Sequence, residues 1–281
     1  MGTITDDFND TSKIASSTNL QVNSGNLEPL NNANSGYVFD NTLTSYITIP
    51  SIFPNTADPS FSISCWIKSP TNGTRFIFDS IGSPANYFSL YTFNGSNGQN
   101  WRAETVMISG GTLTLSTSLV NIVAVNELTH LGCVRDGVNN LLMLFLNGSL
   151  VASASDARAG TFYNTMSNYI GTRYSLGASN KWTGEIFDFK VWGATALTQL
   201  EMHQDYLGTL STAPNRHYKL YSDLVDSGSD GQNGTNVNSL ALGSTIQNYK
   251  KYNQVISTDL LDGAGSGSAD IFKYTLARAN A

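Results

Sequence analysis

The sequence predicts an all-β protein, built as a two-layer antiparallel sandwich with one short helix. Of its 281 residues, 25 are glycine, 11% are aromatic and only 13% are charged, a composition typical of short strands joined by tight turns. Apolar residues recur at every second position in several segments, which is the period of a strand and not of a helix. Between residues 129 and 155, turn signals separate apolar runs, as in consecutive hairpins.

Strand patterns begin at Tyr37 with YVFD and SYITIP. FSISCWIKS then alternates apolar and polar residues, which places on one face Phe61, Ile63, Cys65 and Ile67. Further on, Asp136-Gly137 marks a turn, and Asn147-Gly148 supplies the positive φ angles of a type I′ hairpin. The unbroken apolar run LLMLFL predicts a strand covered on both faces. We therefore predict an antiparallel meander inside a two-layer structure.

Two more strands are predicted in YIGTRYSLGASNKWTGEIFDFKVWG, followed by a helix in TALTQLEMHQDYLG. Thr198 and Glu201 form a capping box, and Gly208 is placed to end the helix. Beyond it come a strand-like HYKLY, a turn-rich DSGSDGQNGTN and a last strand candidate, IFKYTLA. The predicted regions are a polar N-terminal arm (1–34), the sandwich (35–208) and a C-terminal extension with added strands (209–281).

Charge and apolar patterning exclude several classes of partner. The net charge is −6, the pI is about 4.9 and no Lys/Arg run occurs, so neither nucleic-acid binding nor attraction to anionic membranes is predicted. No apolar run approaches the roughly 18 residues of a membrane span, so membrane insertion is not predicted. The start MGTITDDFND lacks the basic and apolar parts of a secretory signal, so no standard export route is expected.

Cys65 and Cys133 have apolar neighbours, which favours buried free thiols over a disulfide.

The segment from Tyr37 to Tyr206 resembles the laminin-G-like branch of the concanavalin A-like lectin and glucanase superfamily. The motifs that carry the resemblance are YVFD, YITIP, FSISCWIKS, THLGCVRDG, LFLNGSLVAS, YIGTR, TGEIFDFKVWG and ALTQLEM. It implies a jelly-roll β-sandwich of concanavalin A type. HYKLYSDLVDSGSDGQNGT resembles the opening of such domains, which leaves two interpretations, a strand that completes the sandwich or the remnant of a second copy. The start DDFNDTSKI is similar to openings of bacteriophage virion proteins.

GEIFDFK is the candidate catalytic element, because the glucanases that the chain resembles carry acidic residues at alternating strand positions. Retaining hydrolysis needs two carboxyl groups about 5 Å apart. Glu185 and Asp188 are three residues apart and would point to opposite faces of a regular strand, while Lys190 takes the next alternate position. We therefore predict no catalytic residue and no enzyme.

The sequence contains few metal or cofactor motifs. Its histidines, His130, His203 and His217, are too dispersed for metal-ligand spacing, and no Ser/His/Asp arrangement or phosphate-binding loop is visible. No cofactor is predicted. The resemblance implies calcium as an alternative, with oxygen ligands in DSGSDGQNG from Asp226, Asp230 and Asn233, although this segment also fits a plain turn. The metal assignment stays open.

The candidate carbohydrate site rests on aromatic residues, whose ring faces cover the C–H face of a sugar. The framework aromatics of the resembled family coincide with Trp66, Trp182 and Trp192, which implies core positions. Trp101 instead lies in NGSNGQNWRAE, which we interpret as a loop on a rigid scaffold. The predicted carbohydrate-binding residues are Trp101, Arg102, Tyr87 and Tyr91. The alternative is that Trp101 only pins the loop to the sheet.

Together these observations predict a non-enzymatic surface or adhesion module of a bacteriophage virion, as a fibre, tail or capsid-decoration component that also binds glycans. Its expected partners are other virion proteins or copies of itself, docked through 1–34 and 209–281, and a host-surface glycan. The alternative is an exported, extracellular protein of the same superfamily that binds or cleaves carbohydrate. The predicted location is the virion, with the extracellular space as the alternative.

Overall fold

The computed structural model describes two compact units of the chain. The described residues are 20–23, 26–29, 34–39, 45–53, 59–69, 71, 73–82, 86–95, 98–107, 111–116, 127–157, 167–173, 181–220, 223–238 and 240–246. One unit comprises 1–34 with 247–281, and its described part includes a hairpin of β1 Leu20–Asn23 and β2 Asn26–Pro29. The other unit, Ser35–Ile246, is a β-sandwich. The predicted strand IFKYTLA and the start DDFNDTSKI lie outside the described residues.

One layer of the sandwich, sheet A, contains eight of the described strands. They are β3 Asn34–Phe39, β5 Phe61–Lys68, β10 Thr129–Asp136, β11 Leu141–Leu146, β12 Ser149–Ser155, β14 Gly184–Trp192, β15 Arg216–Tyr218 and β17 Ala241–Ile246. Their order is β12-β11-β10-β5-β14-β3-β17, and β15 also pairs with β14. The meander predicted from the two turn signals is thus the run β10-β11-β12.

The second layer, sheet B, contains the seven other strands of this unit that are described. They are β4 Tyr46–Ile49, β6 Arg75–Gly82, β7 Asn86–Gly95, β8 Gly98–Met107, β9 Gly111–Ser116, β13 Ser167–Ile170 and β16 Thr235–Val237. In the order β16-β4-β13-β6-β7-β8-β9, all neighbours are antiparallel. The predicted two-sheet antiparallel sandwich is confirmed.

The main core lies between the inward faces of the two sheets. In β5 the predicted inward residues are all buried in it, namely Phe61, Ile63, Cys65 and Ile67. Cys65 and Cys133 are free thiols, and burial raises the pKa of both well above the usual range, so they remain protonated. The three tryptophans that the resemblance assigned to the framework are buried. These predictions of core positions are confirmed.

The helix α1 Gln199–Leu207 covers part of the outer face of sheet A. It begins with the predicted capping box of Thr198 and Glu201, and Gly208 ends it with a φ of 73°. Beneath it lies a second apolar cluster of Val134, Phe145, Trp192, Leu197 and Met202. A Cβ on Gly132 would lie 2.6 Å from Met202 Sδ, so a larger residue there would require the Met202 side chain to shift. Within the described ranges, no helix is long and apolar enough to span a bilayer.

The Asn147-Gly148 turn and residues 217–220 of the HYKLY segment lie within the described residues. Asn147 and Gly148 have φ angles of 48° and 73°, as the predicted hairpin turn requires. HYKLY contains β15, whose Tyr218 pairs with Phe189 of β14, so this segment completes the sandwich. This pairing agrees with the first interpretation of HYKLY, a strand that completes the sandwich. The assembly role proposed for the terminal segments stays a prediction.

A fully buried ion pair ties three parts of sheet A together. Arg135 Nε donates to Asp156 Oδ2 at 3.0 Å, and neither side chain is exposed to solvent. Arg135 Nη1 also donates to the carbonyl of Pro59 at 2.6 Å. The guanidinium on β10 therefore anchors both the entry to β5 and the exit from β12.

We expect Asp156→Asn to lower the free energy of unfolding by about 3–5 kcal/mol, because it removes a charged partner of a fully buried guanidinium. Urea denaturation followed by circular dichroism measures the change. The control, Glu127→Gln, removes an exposed acid and should change stability by less than about 0.5 kcal/mol. Equal stability of the two variants would contradict the role assigned to the pair.

Candidate functional site

The outer face of sheet B carries a continuous row of polar residues. Phe78, Phe88 and Leu90 of this sheet are buried in the main core, so the residues that alternate with them lie on the opposite, outer face. The register aligns one residue from each strand, in the order Thr235, Thr48, Tyr169, Asp79, Ser89, Glu104 and Thr114. The row joins strands that are far apart in the sequence.

Two pairs of aromatic side chains lie in or beside this row. Tyr46 and Tyr169 are half-buried and meet edge to face, with ring centroids 5.7 Å apart. Phe76 and Tyr91 stack at 4.7 Å and belong to neither apolar cluster of the sandwich, although both are buried. Tyr87, also half-buried, lies on the same outward alternation of β7 as Tyr91. The outer face of sheet B therefore combines aromatic rings with hydroxyl and carboxyl groups.

The charged residues on this face are unevenly distributed. Asp79, in the middle of the row, is fully buried and accepts a hydrogen bond from the Ser89 hydroxyl. At the stacked pair, the Arg173 guanidinium lies 5.3 Å from the centroid of the Phe76 ring, within the range of a cation–π contact. Arg102 is opposite Tyr91 in register. Acidic residues thus occupy the central row, and arginines occupy the end where the aromatic rings stack.

The predicted loop around Trp101 is wrong, because residues 98–107 form strand β8. In the register of β7 and β8, Trp101 is opposite Thr92 and Arg102 is opposite Tyr91. Because successive residues of a strand alternate between faces, Trp101 and Arg102 belong to opposite faces of sheet B. Thr92 is fully buried. The side chains of Trp101 and Arg102 lie outside the described residues, so their binding of sugar stays a prediction. The register favours Arg102 over Trp101 for the outer face.

The other two predicted site residues, Tyr87 and Tyr91, lie on the outer face of sheet B, although Tyr91 is buried against Phe76. Our sequence analysis missed Tyr46, Tyr169 and Arg173. Tyr46 could have been found from SYITIP, because it alternates with the inward Ile47 and Ile49. Tyr169 and Arg173 join the face only through the pairing of β13 with β4 and β6, which no local pattern reveals.

A second polar cluster lies under helix α1. Asp205 accepts hydrogen bonds from Ser64 Oγ and Lys190 Nζ, both at 2.6 Å, and His130 Nε2 lies 3.1 Å from its Oδ2. Burial raises the pKa of the Asp205 carboxyl, but the hydrogen bond from His130 and the charge of Lys190 outweigh it and hold that pKa well below its usual range. Ser64 donates to Asp205 and not to His130, and the side chains of Ser64, His130 and Asp205 are all buried. The cluster therefore anchors the helix and lacks the order of a catalytic triad.

The strand that carries GEIFDFK is not regular, so the opposite-face argument for Glu185 and Asp188 is wrong. The register with β5 shifts between Phe187 and Lys190, and Asp188 adopts a φ of 51°. Its carboxylate lies 2.6 Å from His217 Nε2 and 3.4 Å from Lys190 Nζ. Glu185 is also buried, and this burial, partly offset by Lys68, raises its pKa. Both carboxyl groups are therefore enclosed, and Asp188 is held by an ion pair with Lys190 and a hydrogen bond with His217.

The loop considered for calcium is organised by hydrogen-bond donors. The Asp226 carboxylate accepts from the backbone N–H groups of His217, Gly228 and Gln232, at 2.7, 2.8 and 2.9 Å. Asp230 pairs with Arg216 Nε at 3.0 Å, and Asn233 Oδ1 accepts from the Asp226 N–H at 3.0 Å. These oxygen atoms face donors and a guanidinium, so the loop does not fit a calcium ion. Among the described residues, no group of three or more His, Cys, Asp or Glu is arranged to hold a metal.

Comparison with known families and structures agrees with the architecture. The family model described as the concanavalin A-like lectin/glucanases superfamily matches residues 40–203, more than half of the chain. A heptameric SAP-like pentraxin from Limulus polyphemus aligns with a TM-score of 0.52 and 17% identity, over 75% of this chain and 94% of the pentraxin. A protein from Bacteroides ovatus described as carbohydrate-binding aligns with a TM-score of 0.59 and 19% identity, over 78% of this chain and 62% of its own. At these identities the two structures show a shared fold. No curated protein sequence matches significantly.

His217 makes stability depend on pH. Burial, followed by the charges of Lys190 and Lys219, lowers its pKa to about 4, whereas an unfolded histidine titrates near about 6.5. Between these values the unfolded state binds the extra proton, so the free energy of unfolding should fall as the pH drops from about 6.5 to about 4. Urea unfolding at pH 7 and pH 4.5 measures this difference, and His217→Gln should reduce it.

The matched control is His203→Gln, which replaces an exposed histidine of helix α1. It should keep the pH dependence of the parent protein. If His217→Gln kept the full difference between pH 7 and pH 4.5, the low pKa of His217 would not be its source.

Proposed function

The chain belongs to the concanavalin A-like lectin/glucanases superfamily, and we propose that it is a non-enzymatic carbohydrate-binding module that uses the outer face of sheet B. The observation that carries the proposal is the polar row across this sheet, with half-buried tyrosines in it and beside it. The likeness in fold to the Bacteroides ovatus protein described as carbohydrate-binding supports it. The face offers both kinds of contact that a sugar requires.

The first kind of contact is apolar. Tyr46 and Tyr169 keep part of their ring area exposed, and their edge-to-face packing fixes the orientation of both rings. A ring held in this way covers the C–H face of a pyranose without losing much side-chain entropy on binding. The second kind of contact is polar. Thr48 lies beside Tyr169 in the row and Thr235 follows Thr48, and threonine hydroxyl groups both donate and accept hydrogen bonds.

The non-enzymatic part of the proposal rests on where the acids lie. Glu185 and Asp188 are buried at sheet A, and Asp188 is ion-paired with Lys190 and hydrogen-bonded to His217. On the outer face of sheet B, Asp79 is fully buried and bonded to Ser89. Hydrolysis of a glycosidic bond needs two carboxyl groups that both reach the scissile bond. One acts as general acid and the other as general base or nucleophile. None of these three carboxyl groups is exposed to a polysaccharide.

We expect Tyr169→Ala to weaken glycan binding by about thirtyfold, or about 2 kcal/mol, because it removes a fixed aromatic platform. A glycan array identifies a ligand, and isothermal titration then gives the dissociation constants. Tyr169→Phe keeps the ring and should retain most of the affinity. His203→Ala changes an exposed residue of the helix on sheet A and should leave binding unchanged.

Two results would contradict the proposal. If the protein bound no glycan on the array, or if Tyr169→Ala and His203→Ala bound equally well, the assigned face would be wrong. If the protein released reducing ends from a polysaccharide and Glu185→Gln abolished the release while keeping the fold, the module would be an enzyme.

For the setting of the module we propose the virion of a bacteriophage, with other virion proteins or copies of the chain as partners and a host-surface glycan as ligand. The support is the similarity of DDFNDTSKI to openings of virion proteins, together with the few apolar residues in the arm 1–34. The alternative setting is extracellular, after export. A surface module on a particle would benefit from glycan binding because many copies engage a cell at once.

Mass spectrometry of purified particles should detect the chain, and deletion of 1–34 should prevent its incorporation while leaving the sandwich folded. Circular dichroism of the truncated chain provides the folding control. Recovery of the chain from the culture medium, and its absence from particles, would support the extracellular alternative and contradict the virion setting.

A further inference from the structure

Strand β12 ends sheet A, since β11 is its one neighbour among the described strands of this sheet. Its inward side chains, Val151, Ala152 and Ala154, pack against the main core. Its other side chains are exposed, and none of its seven residues is charged or proline. An exposed edge strand without charges or proline is a template for pairing with another strand. We infer that β12 is an interface at which two copies of this chain pair edge to edge.

The backbone of β12 directs hydrogen-bonding groups toward its open side. Asp156 N–H donates to the carbonyl of Asn140 at 2.7 Å, which fixes the phase of the ladder between β12 and β11. In an antiparallel ladder every second residue bonds to a given neighbour, so Ala154 bonds toward β11 while Ser153 and Ser155 point their N–H and C=O groups away from it. The pairing region is limited to this half of the strand, because a bulge interrupts the ladder nearer its start.

A two-fold axis through Ala154 makes these groups self-complementary. Ser153 of one copy then lies opposite Ser155 of the other, and the equivalent pair forms on the far side of the axis. Each pair exchanges both of its backbone hydrogen bonds. Alanine at the axis is small enough for the close approach of a pair that is not hydrogen-bonded, and facing serine hydroxyls bond to each other. Because this contact is short, we expect a weak and reversible dimer.

Charge favours a second copy as the partner. The net charge of the chain is −6, so two copies repel each other wherever their acidic surfaces meet. Across β12 no charged residue meets its own equivalent, and two copies approach there without that repulsion. A strongly acidic or basic partner would find no complementary charge on this strand.

Edge pairing turns the candidate carbohydrate faces of the two copies in the same direction. The two-fold axis of an antiparallel pair is perpendicular to the sheet, so the two copies of sheet A form one continuous sheet and both copies of sheet B lie on the same side of it. The dimer therefore engages two glycans of one surface at once, which raises the apparent affinity through effective concentration. This consequence rests on the proposed carbohydrate binding, whereas the pairing of β12 does not.

Sedimentation velocity of the full chain, at concentrations from roughly 1 to 200 μM, tests the pairing. We expect the average mass to rise from 30.3 kDa toward twice that value as the concentration increases. Ser153→Pro removes an N–H group that does not bond to β11, so the chain should fold and stay monomeric. Circular dichroism checks the fold.

A pair of charged variants tests the register without proline. Ser153→Lys alone and Ser155→Glu alone each place like charges on a diagonal across the axis and should dimerise less than the parent protein. When the two variants are mixed, a lysine lies opposite a glutamate, and a heterodimer should form. Val225→Lys adds the same charge at an exposed aliphatic residue outside β12 and should dimerise like the parent protein.

Binding to a glycan-coated surface, compared with binding to the same glycan in soluble monovalent form, separates the inference from the proposed function. The parent protein should bind the surface about tenfold or more tightly than Ser153→Pro does, with equal affinity for the soluble glycan. A parent protein that stays at 30.3 kDa at every concentration would overturn the inference and leave carbohydrate binding intact. So would a folded Ser153→Pro variant that dimerises normally, or a mixture of the charged variants that dimerises no better than either alone. Absence of binding to every glycan would overturn the proposed function, while the mass measurement still decides the edge pairing.

Discussion

A buried carboxylate needs partners, and the carboxylate of Asp205 finds them on three strands. Its hydrogen-bonding and ionic partners are Ser64 of β5, His130 of β10 and Lys190 of β14. Leaving such a charge buried without them would cost several kcal/mol, so helix α1 has one favourable position on sheet A. The apolar cluster around Met202 then fills the space between helix and sheet. The outer face of sheet A is thereby used for stability, and the half-exposed tyrosines that suit a ligand occur on sheet B.

Two of the β-bulges in the described strands, those in β14 and β6, place side chains that the two-sheet arrangement uses. In β14 the extra residue turns Asp188 toward Lys190 and His217, which joins β15 to the network under the helix. In β6 a register shift between Phe76 and Phe78 leaves Phe76 opposite Tyr91 on the outer face. Each bulge redirects one side chain that the regular two-residue alternation would have placed elsewhere. One bulge serves the anchoring of the fold and the other serves the candidate site.

The features that the sequence predicted correctly depend on near neighbours. The Asn147-Gly148 turn, the capping box at Thr198 and the alternation in β5 involve residues a few positions apart, so their physical causes are visible in the sequence. The bulge at Asp188 is not visible there, because it arises from the pairing of β14 with β5 on one side and the chain near Lys219 on the other. The Asn- and Gly-rich run before Trp101 also concealed a hairpin, since its strands are set by pairing and not by composition.

The candidate site was harder to predict for a related reason. Tyr46, Tyr169 and Phe76 come from three strands that are separated by long stretches of chain, and only the register of sheet B brings them onto one face. The same register explains why stability and binding are separable in this fold. Inward positions such as Phe78 and Phe88 fill the core, and the residues between them face outward. A shift of one residue in any strand of sheet B would exchange the two sets, so the core enforces the alignment on which the outer face depends.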